Sequence, residues 1–274
     1  LGNRGGGSNR GGSSGGSGRG SGGGGMQIQA MMPLTPVVKA IVITCAVVWL
    51  LGQLIIDRFM LGGTFFTTYF ALIPNFVVQK FFIWQLLTYA FLHSSSPFHI
   101  ILNLLALWWL GSELEQRWGG RFFLTYYLVC TVGSAFLYVS IVLAYALAGG
   151  SVTAMLTPVM GASGAVFGLL LAYGIIFGER VVHFMMIFPM KAKYFVMILG
   201  GIEVVNLLNT GVAGSEVASL AHLGGIVSGY LFLLIHTRLK QKKWPQKATA
   251  QKTGKLKLVI NNEKKKDGNP KYWN

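Results

Sequence analysis

Along most of this chain apolar residues do not alternate with polar ones; they gather in long runs divided by short polar or glycine-rich breaks. Six such runs fall at 37–56, 95–114, 122–147, 161–177, 192–208 and 220–239. Each approaches the roughly 20 residues a helix needs to cross a hydrocarbon core, so the pattern predicts six membrane-spanning helices. A further apolar stretch, 76–92, is interrupted by Gln79, Lys80 and Gln85 and is expected to lie as helix or loop in the membrane interface. No small-residue cleavage pattern follows the first run, so it is expected to stay in place as the first span.

Composition agrees with that pattern. Hydrophobic residues make up 53% of the 274 and charged residues 11%, with a mean hydropathy of +0.55, outside the range of an ordinary soluble domain. Drawn on six spans, all 23 Lys and Arg residues except Arg58 and Lys80 fall on one side of the membrane. The excess of basic residues on cytoplasmic loops then predicts that both termini are cytoplasmic. Cys45 and Cys130 both lie inside predicted spans and read as small core residues rather than a disulfide.

Four segments follow. Residues 1–25 are almost entirely Gly, Ser, Asn and Arg and cannot bury enough apolar surface to order themselves. Residues 26–36 form a short cytoplasmic lead-in, 37–239 the membrane domain, and 240–274 a Lys-rich cytoplasmic tail. Such a tail is drawn to anionic lipid headgroups by about 1 kcal/mol per basic residue near the surface. The net charge of +15 thus arises from tails and loops, and no nucleic-acid partner is expected.

Polar residues inside spans are costly and point to function; here they are His99, Asn103, Ser163, Glu203, Asn206 and His222. A paired-aspartate protease is excluded, because Asp57 and Asp267 lie outside the predicted spans. No H-E-x-x-H string supports a zinc protease, and neither metal nor cofactor is expected. Serine chemistry remains: a hydroxyl becomes a useful nucleophile when a base within hydrogen-bond reach takes its proton. Ser163 is the candidate nucleophile and His222 the candidate base.

Small residues explain how the two would meet. Gly225 and Gly229 share one face of the sixth span, Gly164 and Gly168 one face of the fourth, and pairing these stripes would bring Ser163 beside His222. Pro158 lies shortly before the fourth span, so Ser163 is expected in its first turn, where unpaired N–H groups and the helix dipole favour a developing oxyanion. His99 and Asn103 stand four apart on one face of the second span and could donate to the same oxygen. Glu203 and Asn206 read as a separate i, i+3 pair with a structural hydrogen-bonding role, and they feed the rival reading of a small transporter. That rival lacks internal repeats and a cluster of polar groups at mid-membrane.

These residues resemble the rhomboid family of intramembrane serine proteases. "GASGAVFG", with Gly161, Ser163 and Gly164, is similar to its G-x-S-G nucleophile motif; "HSSSPFHIILN" and "AHLGGIVSG" are similar to its second-span and sixth-span histidine motifs. The resemblance covers roughly residues 37–239 and implies an all-α, six-transmembrane-helix bundle. It implies a Ser163–His222 dyad with no third acidic member, and oxyanion binding by the Ser163 N–H, His99 and Asn103. Phe167 stands where the family often has tyrosine, and its ring is implied to pack on His222. Gln85 follows Trp84 where the family often has arginine, and Glu115 with Arg117 resembles a cytoplasmic boundary motif of structural role. The implied substrates are transmembrane proteins cleaved in or near their spans; the implied location is a bacterial cytoplasmic membrane, multi-pass. An inactive rhomboid-like binding protein would be expected to lack the serine or the histidine, and both are present.

Overall fold

The computed structural model describes residues 33–184, 188–212 and 218–243; the extension at 1–25 and the tail from 244 lie outside the described residues. Helix α1 (Pro36–Met60), which takes a π-helical course over Val48–Asp57, leads into three short helices, α2 (Phe65–Phe70), α3 (Pro74–Gln79) and α4 (Gln85–Thr88). Then come α5 (Pro97–Trp118), α6 (Gly120–Leu147), α7 (Thr153–Leu156), α8 (Ser163–Ile176), α9 (Ala192–Thr210) and α10 (Ala218–Lys243).

Among the described residues, α1, α5, α6, α9 and α10 are long and apolar enough to cross a membrane. The fourth expected span is shorter than its apolar run. Helix α8 has 14 residues, about 21 Å of rise against a hydrocarbon core of about 30 Å. Its start is fixed by Gly161, whose φ of +126° no other residue type adopts readily and which breaks any helix continuing from Pro158. The segment before it is held by backbone pairing: Leu72 and Val159 exchange hydrogen bonds of 2.9 Å each way, and the Gly161 N–H donates to the Tyr89 carbonyl at 3.0 Å.

Helices α5, α8 and α10 begin at one end of the bundle, where His99, Ser163 and His222 lie together, and α1, α6 and α9 begin at the other. At that second end the Glu115 carboxylate caps α1, accepting from the Val37 N–H at 3.1 Å, the Val38 N–H at 3.0 Å and the Thr35 hydroxyl. Pro36 at the helix start needs no such partner. Gly119, at φ +81°, lets α5 stop and α6 start within one residue. Arg180 pairs with Glu113 of α5. The boundary motif "GSELEQRWG" therefore has a plain structural use.

One feature departs from the all-helical expectation: β1 (Val181–Phe184) and β2 (Phe188–Lys191) form an antiparallel hairpin between α8 and α9. Its β-branched start, Val181 and Val182, suits a pleated strand better than a helix end.

The core lies where α8 meets α6 and α10, around Leu169, Tyr126, Tyr173 and Cys130. Both cysteines are free and buried there, as the sequence predicts. By contrast α9 turns Met197, Ile198, Ile202, Val205 and Leu208 outward, a surface suited to lipid rather than water.

The stretch 76–92 does not add a long helix. Gln85, far from being an exposed interruption, is fully buried: its Oε1 accepts from the Ile73 N–H at 3.1 Å and its Nε2 donates to the Thr68 carbonyl at 3.0 Å. Trp84 Nε1 donates to the Tyr69 carbonyl at 2.8 Å. Together they tie the segment to itself over the end of the bundle where α8 begins.

Candidate active site

Ser163 is the first residue of α8, so the amides of that turn have no intrahelical acceptor. Its Oγ lies 2.7 Å from Nε2 of His222, which α10 presents one turn after its start. Phe167, one turn along α8, stacks on the imidazole with ring centroids 4.4 Å apart and planes 15° from parallel. That contact, together with the hydrogen bond to Ser163, defines the imidazole's orientation.

The approach of the two helices depends on missing side chains. A Cβ added at Gly225 would collide with the Gly164 carbonyl, and one added at Gly168 would come within 3.1 Å of the Gly225 carbonyl. The expected pairing of stripes thus holds at Gly164 and Gly225. Gly229 differs: it faces Tyr126 and Cys130 of α6, and Gly168 also abuts Cys130. The small residues seat α8 and α10 on α6 as well as on each other.

His99 sits across the hollow, where a Cβ on Gly161 would be 3.1 Å from its Nε2 and 3.7 Å from Ser163 Oγ. Gly161 is therefore needed for space as well as for its backbone angle. Nδ1 of His99 accepts from the Ser94 N–H at 3.3 Å and lies 2.9 Å from the Ser94 hydroxyl. A neutral imidazole whose Nδ1 accepts carries its proton on Nε2, so His99 is a donor toward Ser163. Asn103 donates from Nδ2 to the His99 carbonyl at 2.8 Å, and this leaves its second amide proton for the cavity it lines. Ser163, His222, His99, Asn103 and Phe167 share one cavity of about 620 Å³, bordered otherwise mostly by apolar side chains.

Sequence reasoning missed two contributors. Ser94 sets the tautomer of His99, and a serine in a run of three carries no signal that singles it out. Glu203 is the larger omission. It does not form a separate site with Asn206: its Oε1 lies 3.2 Å from Nδ1 of His222. Its partner depends on the register of α9 against α10, which local sequence pattern does not carry.

A family model for the rhomboid domain matches residues 80–239. The chain is 33% identical to RHOMBOID-like protein 1 of Arabidopsis thaliana over 162 residues, covering 59% of this chain and 36% of that protein. It is 29% identical to Rhomboid protease GlpG of Serratia proteamaculans over 206 residues, covering 74% and 63%. With Rhomboid protease GluP of Bacillus subtilis it shares 30% over 151 residues, covering 54% and 25%. The chain spans less than two thirds of the length of each of these relatives.

Proposed function

From the premise that the chain belongs to the rhomboid family, we propose that it is an intramembrane serine endopeptidase in which Ser163 is the nucleophile and His222 its base. The observation that carries this reading is the 2.7 Å contact between Ser163 Oγ and His222 Nε2 inside the cavity. His222 takes the hydroxyl proton as Ser163 attacks a substrate carbonyl; the new C–O bond forms and the carbonyl electrons move to oxygen. His99 Nε2–H, the Asn103 amide and the Ser163 N–H receive that charge, and a preorganised donor of this sort contributes about 2.7–4 kcal/mol in the transition state. The imidazolium then gives its proton to the leaving amine, and water, activated by His222, releases the acyl group from Ser163.

The bundle is read as six spans, α8 being the short fourth. A helix of about 21 Å that ends near one membrane face begins below the other, which sets Ser163 in a recess. Non-helical backbone at that depth is tolerable where protein surrounds it, and the pairing of Val159 with Leu72 and of Gly161 with Tyr89 supplies that shelter. The distribution of Lys and Arg supports placing both termini in the cytoplasm, with the recess opening on the opposite face. The substrates in this reading are transmembrane proteins whose helices unwind near the cleavage point, since a carbonyl inside a helix is shielded and already hydrogen-bonded. The Lys-rich tail is read as meeting anionic lipids.

The transporter alternative loses its main support, because Glu203 stands beside His222 rather than on a path of its own. The test is labelling by a serine-reactive fluorophosphonate in detergent: wild type is labelled, while Ser163→Ala and His222→Ala are not. Equal labelling of wild type and Ser163→Ala would refute the assignment.

A further inference from the structure

Nδ1 of His222 and Oε2 of Glu203 are both buried, and neither has another hydrogen-bond partner among the described residues. The carboxylate of Glu203 reaches the imidazole from α9, with Oε1 3.2 Å from Nδ1, and the Glu203 side chain is 12% exposed. Nδ1 and Oε1 do not form a full hydrogen bond here, yet their separation is already that of one. Burying a carboxylate inside a bundle is costly unless it is paired, and within this bundle the facing ring nitrogen is the partner at hand. The Ser219 hydroxyl lies beside the same carboxylate.

We propose that Glu203 is a positioning residue for His222, a third acidic member that holds the imidazole proton on Nδ1 and so leaves Nε2 free to accept from Ser163. The inference rests on the protease reading of Ser163 and His222 and departs from the two-residue arrangement that the family resemblance implies. The geometry assigns two effects to the carboxylate. It selects the tautomer, because an acceptor beside Nδ1 favours N–H there. It also stabilises the positive charge that appears on the ring once His222 has taken the serine proton, without itself being protonated. The other groups that face His222 are Ser163 and the Phe167 ring from α8 and His99 from α5; among the described residues Glu203 is the one acidic group beside the ring.

The test uses the full chain reconstituted in vesicles, with a single-span substrate, comparing wild type, Glu203→Gln, Glu203→Asp and Ser163→Ala. For Glu203→Gln, kcat is expected to fall on the order of 10²-fold or more with KM nearly unchanged. Glu203→Asp, which keeps the carboxylate, is expected to recover part of the lost kcat. Nitrogen NMR of His222, assigned by comparison with His222→Ala, should show the Nδ1–H tautomer in wild type and a larger share of the Nε2–H tautomer in Glu203→Gln, independently of turnover. A Glu203→Gln protein with unaltered kcat and an unaltered His222 tautomer balance overturns the proposal. So does one that loses activity and thermal stability together while that balance stays put, which is the signature of a merely structural residue. Failure of the underlying reading is distinct: Ser163→Ala would then cleave as well as wild type.

Discussion

Gly225 of α10 rests against the carbonyl of Gly164 on α8 with no room for a single added carbon. Because the obstacle is backbone rather than a side-chain tip, no rotamer change relieves it, and the helices must separate. Ser163 and His222 sit one residue before Gly164 and three before Gly225, so the separation opens the hydroxyl–imidazole contact directly. Gly225→Ala is expected to cost about 1–3 kcal/mol and to lower activity by more than that loss of folded protein explains. Thermal unfolding and specific activity, measured on the same preparation, check this.

The proposed oxyanion donors should show a different signature. Asn103 is already held by the His99 carbonyl at 2.8 Å, so Asn103→Ala removes a donor without opening the fold. The expected result is a fall in kcat of about 10²–10³-fold with little change in KM, read from steady-state kinetics on a single-span substrate.

A buried amide, that of Gln85, helps to hold the loop over the site. Gln85→Ala would leave the Ile73 N–H and the Thr68 carbonyl without their partner. Each buried group left unsatisfied costs about 1–3 kcal/mol. Limited proteolysis is expected to cut the variant within 64–92 well before wild type, with the rest of the bundle intact.

A pH dependence of stability follows from His93, which lies in the loop before α5 with 1% of its surface exposed. Burial, with the neighbouring His99 second, depresses its pKa from the usual 6.5 to about 4. The unfolded chain therefore binds more protons than the folded one between those values. The contribution is fully present above pH 6.5 and is lost as pH falls through about 4, an effect on the order of 3 kcal/mol. His93→Gln is expected to flatten that acid-side decline, as thermal unfolding in detergent between pH 4 and 7 would record.

How much of this could be read from the residues depends on what sets each feature. Ser163 and His222 were legible because polar groups are scarce in apolar runs and glycine spacing names the helix faces that can touch. The length of α8 was not, since hydropathy extends over 161–177 while the helix start is set by the backbone angle of Gly161. Gln85 read as a break in an apolar stretch, although its amide fits two backbone groups that only the folded loop brings together. Glu203 stood out as an ionisable residue within a span, but its partner depends on the register of α9 against α10, and local pattern does not carry register.

In the proposed reaction Ser163 attacks a peptide bond with His222 as base. The decisive experiment is cleavage of a single-span reporter by the reconstituted chain, with Ser163→Ala and His222→Ala run beside it. A product fragment is expected from wild type and none from either variant. Persistent cleavage by Ser163→Ala would rule out Ser163 as the nucleophile.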